Sequence, residues 1–189
     1  MVPHIHTEPG QHDLTVSGYI VRTDGDNIFC LVHMHKKIKK LMQMGGHVEL
    51  DETPWAAIAH ELSEETGYDI NQLGLLQPTI SAVDITNAVI HPVPVLFNTH
   101  IVAKIHYHTD LCYVFVANRL PNKPPVEGES SDLRWYTIDD LESLAKKGAA
   151  LIDTAQIYRA IIDTYLPRYH IVSTDSFSFV EPTDLSHLD

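Results

Sequence analysis

Apolar and polar residues recur along this chain with periods that predict short strands and a few amphipathic helices. Alternation with period two, or a short apolar run between turn residues, indicates a strand, whereas apolar residues three and four apart indicate a helix. Strands or strand-like apolar runs are expected at residues 17–22, 27–32, 75–85, 93–102, 111–117 and 133–136. Helices are expected at residues 53–67, 139–147 and 151 to about 165. Asp24 and Gly25, between the first two strands, predict a hairpin turn.

The helix expected at residues 53–67 carries a start signal and a stop signal. Thr53 can cap exposed N–H groups, and Pro54 is favoured at the first helical position. Gly67 can take the left-handed conformation that ends a helix without strain. The apolar residues between these ends follow the i, i+3, i+4, i+7 pattern and predict one buried face: Trp55, Ile58, Ala59 and Leu62.

Three glutamates, Glu61, Glu64 and Glu65, lie beside that apolar face at positions i, i+3 and i+4. On a helix this spacing places the carboxylates on one side, where like charges repel. Residues 46–68 contain no Lys or Arg that could balance them. Hard divalent cations such as Mg²⁺ take oxygen ligands and are commonly held by a few carboxylates plus substrate phosphates. The spacing therefore predicts a metal site on this helix.

Residues 46–68 resemble the Nudix box, whose pattern is G-x5-E-x7-R-E-U-x-E-E-x-G-U with U apolar. Six of the seven fixed residues are present, and His60 stands in the place of the arginine. The resemblance implies an α/β fold, a Nudix-type α/β/α sandwich with a mixed β-sheet. We expect an irregular N-terminal arm at residues 1–14, the Nudix hydrolase domain at 15–168 and a C-terminal tail at 169–189.

What the resemblance implies chemically is a hydrolase that cleaves a diphosphate linkage in a nucleoside diphosphate derivative with Mg²⁺ or Mn²⁺. Glu61, Glu64 and Glu65 would hold the metal, with the carbonyl of Gly46 as a further ligand. His60 would orient neighbouring carboxylates, although it offers at most two donors and is largely neutral at pH 7 unless nearby acids raise its pKa.

Two roles of acidic residues stay open at this point. Glu52 is expected to be structural, because it lies where the loop joins the helix. The general base is either Glu61 or an acid outside the box, for which Glu127 and Glu129 are the candidates.

The substrate contacts are expected on both sides of the box. Gly45 and Gly46 allow a tight turn in which backbone groups can approach a phosphate, and the lysines just before it either steer phosphates or form a solvated loop. His106, His108 and Asp110 would share one face of a strand, as a metal site, as a hydrogen-bonding row or simply as exposed histidines. The full set of substrate-binding candidates is Lys36, Lys40, Gly45, Glu129, His106 and His108.

The composition of the chain limits the kinds of binding partner and the cellular location that are expected. The formal charge of −12 argues against broad nucleic-acid or anionic-membrane binding, since such a surface needs clustered Lys and Arg. No apolar stretch is long enough to span a membrane, and the sequence around Cys30 and Cys112 predicts buried thiols of a reducing compartment. A cytoplasmic protein acting on a small diphosphate is expected. Phe177 and Phe179 suggest that the tail docks somewhere, for example on the partner of a homodimer.

Two other functions remain in view. One is an enzyme of the isopentenyl-diphosphate isomerase type, which uses the same scaffold; the other is a non-catalytic, ligand-sensing Nudix domain. The first is disfavoured because no convincing catalytic cysteine is evident, and the second because all metal-binding acids of the box are present.

Overall fold

The structure is a computed structural model that describes residues 11–79, 85, 88–102, 106–127 and 132–179. Several sequence-based expectations fall wholly or partly outside these ranges. They concern Glu129, residues 80–84 of the apolar run predicted at 75–85, residues 1–10 of the predicted arm and residues 180–189 of the predicted tail.

The described strands form one mixed sheet. Their bounds are β1 His12–Asp24, β2 Asn27–Met34, β3 Leu41–Met42, β4 Met44–His47, β5 Leu73–Gln77, β6 Leu96–Val102, β7 His106–Ala117, β8 Leu133–Thr137 and β9 His170–Ser173. The order β3-β2-β1-β7-β5-β9 runs through the sheet, while β4 pairs with β1, β6 with β7 and β8 with β2.

β1 is the central strand. It runs parallel to β7 over ten residue pairs, from His12 opposite Tyr107 to Val21 opposite Val116. Two strands pair with the other edge of β1. β4 pairs with the first half of β1, and β2 pairs with the second half through the predicted hairpin. This arrangement brings the N-terminal ends of β1 and β7 and the C-terminal end of β4 together.

The described helices are α1 Pro54–Thr66, α2 Ile138–Lys146 and α3 Ile152–Ala160. A π-helical turn, Ile161–Tyr165, continues α3, so the predicted helix at residues 151–165 is present with a wider final turn. Short 3₁₀ turns lie at Ile70–Gln72 and Thr174–Ser176. None of the helices in the described ranges is long and apolar enough to cross a membrane.

The sheet has an apolar core on each face. Trp55, Ile58 and Leu62 of α1 pack on one face, against Tyr113 and Phe115 of β7. The other face is covered by α2 and α3, and its buried residues include Cys30, Cys112, Val114, Leu141 and Tyr158. The predicted α/β/α sandwich is confirmed, and both cysteines are free and buried. Side chains alternate across β7, so neighbouring residues serve opposite cores.

The two chain ends differ from the sequence-based expectation. β1 begins at His12, so the last residues of the arm predicted to be irregular are strand. β9, at the start of the predicted tail, pairs with β5. Phe177 and Phe179 then return to α1, where their rings lie 5.8 and 6.1 Å from that of Trp55. The aromatic residues of the tail therefore dock within the same chain.

Candidate functional site

Helix α1 begins and ends where its capping residues require. The side chain of Thr53 accepts a hydrogen bond from the backbone N–H of Ala56 at 3.2 Å. At the other end Gly67 has φ of 76°, in the left-handed region, and its N–H donates to Ser63 O. A Cβ on Gly67 would come within 1.8 Å of Lys123 O, so only glycine fits here. These caps fix the register of every glutamate on the helix.

The glycine pair on β4 lies directly against the acids of α1. The N–H of Gly45 donates to Oε2 of Glu65 at 2.9 Å. The carboxylate of Glu61 lies so close to Gly46 that an added Cβ would be 1.9 Å from Oε1. Gly45 has φ of +141°, and a Cβ there would meet Val16 O at 2.1 Å. The glycines thus let the acidic face of the helix approach the strand backbone.

Each of the three glutamates of α1 contacts a different partner. Glu61 lies against Gly46, Glu65 accepts from Gly45, and Oε1 of Glu64 is 3.1 Å from Nε2 of His60. Among the described residues they do not form a set whose ligand atoms all lie within 4.8 Å of one another. Mutual repulsion accounts for this spread, because separate partners relieve like charges on one helical face.

His60 lies between two carboxylates, where the box pattern has arginine. Besides the contact with Glu64, its Nδ1 is 3.6 Å from Oε1 of Glu52. Burial by itself would lower the pKa of His60, but the charge and hydrogen bond of Glu64, together with Glu52 and Glu61, outweigh it and raise the pKa above the ordinary 6.5. A protonated imidazole can donate to both acids at once.

Glu52 lies in the loop that leads from β4 into α1. Burial raises the pKa of its carboxyl, although a hydrogen bond from the backbone of Glu49 and the nearby His60 act in the opposite direction. Its backbone N–H also donates to Glu49 O at 3.1 Å. Glu52 therefore contacts both the loop and the helix, which is the geometry expected for its predicted structural role.

The lysines considered for phosphate binding lie in the loop after β2, a strand that extends to Met34. His33, near the end of β2, is buried, and its Nδ1 lies 3.5 Å from Oε1 of Glu65. Burial lowers the pKa of His33 to about 4, so this imidazole is neutral at pH 7. Lys36 is exposed and Lys40 half-buried. The loop turns tightly, with Lys39 at φ of 58° and two hydrogen bonds between the backbones of His35, Lys39 and Lys40.

A second loop closes the C-terminal end of α1. The N–H of Val126 donates to the backbone oxygen of Glu64 at 2.8 Å. Glu127, the next residue, is exposed. Of the candidates for a general base outside the box, Glu127 therefore follows a residue that is hydrogen-bonded to the last turn of α1, and Glu129 lies outside the described residues.

A second polar cluster, which we call the histidine cluster, consists of Asp13, His47, His106 and His108. His106 and His108 share one face of β7, as predicted, and their Nε2 atoms are 3.3 Å apart. Oδ2 of Asp13 lies 3.5 Å from Nε2 of His47, 3.6 Å from that of His106 and 3.9 Å from that of His108. Ligand atoms of Asp13, His106 and His108 all lie within 4.8 Å of one another.

Asp110, the third residue of the predicted row on β7, is hydrogen-bonded to residues outside the histidine cluster. Its carboxylate accepts hydrogen bonds from the hydroxyl of Thr15 at 2.8 Å and from the thiol of Cys112 at 3.1 Å. Asp13 takes its place beside the histidines, because the parallel pairing sets Asp13 opposite His108. Sequence reasoning missed Asp13, whose pairing partner is far away along the chain.

The histidine cluster is largely withdrawn from solvent. The side chain of Asp13 is 1% exposed, and those of His106 and His108 are 14% and 16% exposed. Burial lowers the pKa of His108 to about 4, and the neighbouring His47, His100 and His106 lower it further than Asp13 raises it. His108 is therefore a neutral imidazole at pH 7.

A groove beside the box is not lined by the three glutamates. It has a volume of about 590 Å³ and lies between the outer side of α1 and the C-terminal segment, bordered by His60, Ile70 and Phe177. Asp69 and Asp175 also line it. These acidic walls do not favour a phosphate group.

Comparisons of the sequence and of the fold with known proteins lead to the same family. A family model described as a NUDIX domain matches residues 11–159. The sequence has no significant match among curated proteins. A solved structure of a NUDIX-family hydrolase from Clostridium perfringens is 28% identical, covers 80% of this chain and 96% of its own, and gives a TM-score of 0.63.

Two more distant structures share the fold. A C. elegans Ap4A hydrolase binary complex is 15% identical, covers 79% of this chain and 97% of its own, and has a TM-score of 0.58. The NUDIX domain of Shewanella oneidensis NrtR, solved in complex with ADP ribose, is 14% identical, covers 78% of this chain and 88% of its own, and has a TM-score of 0.51.

Proposed function

This chain belongs to the NUDIX family, whose domain matches residues 11–159, and from that premise we propose that it is a metal-dependent hydrolase of a diphosphate linkage in a nucleoside diphosphate derivative. The prediction of a Nudix hydrolase is confirmed by this match and by the hydrolase from Clostridium perfringens. The metal, the substrate and the site residues are our proposals.

The observation that carries the proposal is the contact between Gly46 and Glu61. A glycine whose Cβ would overlap a carboxylate oxygen keeps that carboxylate beside the strand backbone. Glu61, Glu64, Glu65 and the carbonyl of Gly46 offer only oxygen atoms, which suits Mg²⁺ or Mn²⁺. When bound, such an ion supplies positive charge that offsets phosphate charge and acidifies the attacking water.

The other residues of the box support these ligands. His60 contacts Glu64 and Glu52, and we propose that it orients them in the place of arginine. The amide of Gly45 restrains Glu65 through its hydrogen bond. Glu61, Glu127 or Glu129 would take the proton of the water as general base. These groups prepare the geometry before substrate arrives, which lowers the barrier by positioning.

For substrate binding we propose the lysines of the loop beside Glu65, with Lys36 and Lys40 as phosphate contacts. Lys36 is exposed and Lys40 half-buried, and a point charge on a flexible stem suits a phosphate. One structural neighbour is an Ap4A hydrolase, and another was solved in complex with ADP ribose. Both compounds are nucleoside diphosphate derivatives, so this class is the first to test.

We place the enzyme in the cytoplasm, because the free cysteines Cys30 and Cys112 are typical of a reducing compartment. The homodimer stays a prediction. Its test is the molar mass in solution.

The test is incubation of the protein with Mg²⁺ or Mn²⁺ and a panel of nucleotide sugars, dinucleoside polyphosphates, nucleoside triphosphates and isopentenyl diphosphate. The proposal expects products of diphosphate cleavage from at least one nucleoside compound. An isomerised isopentenyl diphosphate, or ligand binding without any cleavage, would contradict it and favour the isomerase or the sensor. The variant Glu64→Gln serves as the inactive control.

A further inference from the structure

The histidine cluster has the composition and spacing of a metal site that is separate from the acids of α1. We propose that Asp13, His106 and His108 bind a borderline divalent cation of the Zn²⁺ type. The proposal depends on the geometry of these three side chains, and it stands whether or not the protein hydrolyses diphosphates.

The spacing of the ligand atoms matches that of a tetrahedral ion. With bonds of about 2.0–2.1 Å, neighbouring ligand atoms around tetrahedral Zn²⁺ are about 3.3 Å apart. The Nε2 atoms of His106 and His108 are 3.3 Å apart, and Oδ2 of Asp13 is 3.6 and 3.9 Å from them. Shifts of a few tenths of an ångström would thus complete the coordination.

The chemical types of the three ligands indicate which metal ion would bind. Two imidazoles and one carboxylate suit Zn²⁺ and other first-row transition metals, whereas Mg²⁺ prefers oxygen ligands and keeps several waters. The set differs in this respect from Glu61, Glu64 and Glu65. A third imidazole, that of His47, stands next to the site with Nε2 3.5 Å from Oδ2 of Asp13.

The surrounding structure holds the three ligands in place. Asp13 lies directly opposite His108 in the parallel pair of β1 and β7, and His106 is two residues away on the same face of β7. Ligands on neighbouring strands of one sheet lose little freedom on binding, because the backbone already fixes their separation. Three protein ligands leave a fourth position, which is the arrangement of an open zinc site.

The histidine cluster and the acids of α1 lie on opposite faces of β4. Met44 belongs to the core under α1, and alternation along the strand places Gly46 on that same face and His47 on the other. A single peptide bond therefore separates a residue of each site. Binding in the histidine cluster would join the N-terminal ends of β1 and β7 beside the strand that carries the glycine pair.

The experiment is a Zn²⁺ titration of chelator-stripped protein by calorimetry, in excess Mg²⁺ so that oxygen sites are filled. The variants are Asp13→Asn, His106→Gln and His108→Gln, with thermal unfolding as the check on folding. His100→Gln is the matched control, since its ring lies 5.5 Å from that of His108 but it is not among the proposed ligands. Glu64→Gln is the control for the acids.

We expect wild type, His100→Gln and Glu64→Gln to bind one more equivalent of Zn²⁺ than the three ligand variants, or to bind it at least about tenfold more tightly. Zn²⁺ should also raise the melting temperature of wild type more than that of His106→Gln or His108→Gln, which keeps the test valid if Asp13→Asn folds poorly. Equal stoichiometry and affinity in all proteins would overturn the proposal. So would a loss of the same equivalent in Glu64→Gln.

Discussion

The acidic face of α1 and the histidine cluster lie on opposite sides of β4 and differ in the exposure, charge and spacing of their polar side chains. The acids include Glu64, whose side chain is 39% exposed, whereas the side chain of Asp13 is 1% exposed and its neighbours are imidazoles. On the helix, acids of like charge spread onto separate partners. In the histidine cluster, ligand atoms of three side chains converge within 4.8 Å.

This difference follows from the chemistry of the donors. Imidazole side chains are not repelled by a carboxylate, so the histidine cluster is compact on its own. Ionised carboxylates repel one another by several times the thermal energy at short range in a protein environment. The spacing of the polar side chains alone therefore does not identify the catalytic site. The charge of the side chains has to be considered as well.

The largest effect on turnover is expected from substitutions in the acidic face of α1. Glu64→Gln and Glu65→Gln keep the shape of the side chain but remove a charge from the proposed metal site. Turnover should fall by about two orders of magnitude or more, because metal-assisted stabilisation contributes several kcal/mol. Steady-state kinetics with Mg²⁺ checks this.

The matched control for that pair is Asp163→Asn. It removes one exposed acid from the turn after α3, on the far side of the sheet, and should keep wild-type kinetics. Wild-type turnover in both Glu64→Gln and Glu65→Gln would mean that the box is only a scaffold.

A slightly smaller effect is expected at the contact between strand and helix. In Gly46→Ala the new Cβ would meet the carboxylate of Glu61 and displace it. Turnover should fall about 10- to 100-fold, as for other small misplacements of a catalytic group.

The contact itself can be tested by shortening the acid. Combining Gly46→Ala with Glu61→Asp moves the carboxylate back, so the two substitutions should be less than additive in the logarithm of the rate. Full additivity would indicate that Gly46 acts on something other than Glu61.

His60 extends the comparison because it is an imidazole on α1 itself, in contact with Glu64. His60→Gln should lower turnover about tenfold, the usual cost of losing a group that orients metal ligands. His60→Arg should maintain or raise turnover, since a guanidinium is a permanent, forked donor. The ratio of kcat/KM for the two variants is the measurement. Complete loss in a folded His60→Arg protein would count against the proposed role.

The fold around α1 could be predicted from the sequence because its signals are local. Thr53 and Gly67 cap the helix as expected, and Asp24 and Gly25 form the hairpin that joins β1 and β2. The strand expected at residues 111–117 is part of β7, and its alternating residues Tyr113 and Phe115 are buried beside Trp55.

The histidine cluster could be predicted only in part. The alternation of His106 and His108 is visible in the sequence, but Asp13 joins them through the parallel pairing of β1 with β7. Nothing local signals a pairing between residues 95 positions apart. β9 was missed for the same reason, since its four residues gain their strand structure from pairing with β5.

The smallest expected effect is the pH dependence of stability at His60. Its pKa is raised in the folded protein, so the stabilisation by Glu64 and Glu52 is fully present below the unfolded value near 6.5. It is lost as the pH rises through the raised value. Because His60 is exposed, the contribution should be no more than about 1 kcal/mol. The free energy of unfolding of wild type and His60→Gln should differ more at about pH 6 than at about pH 9. A difference that grows with pH would reverse the assigned sign.

The central claim, that the acids of α1 hold the ion that drives diphosphate hydrolysis, is tested most directly by removing and restoring metal. Once a substrate is identified, turnover is measured in excess EDTA and then during a titration with Mg²⁺, for wild type and Glu64→Gln in parallel. We expect no turnover with the chelator, saturable recovery in wild type and little recovery in Glu64→Gln. Undiminished turnover in excess EDTA, or equal recovery in the two proteins, would contradict the account.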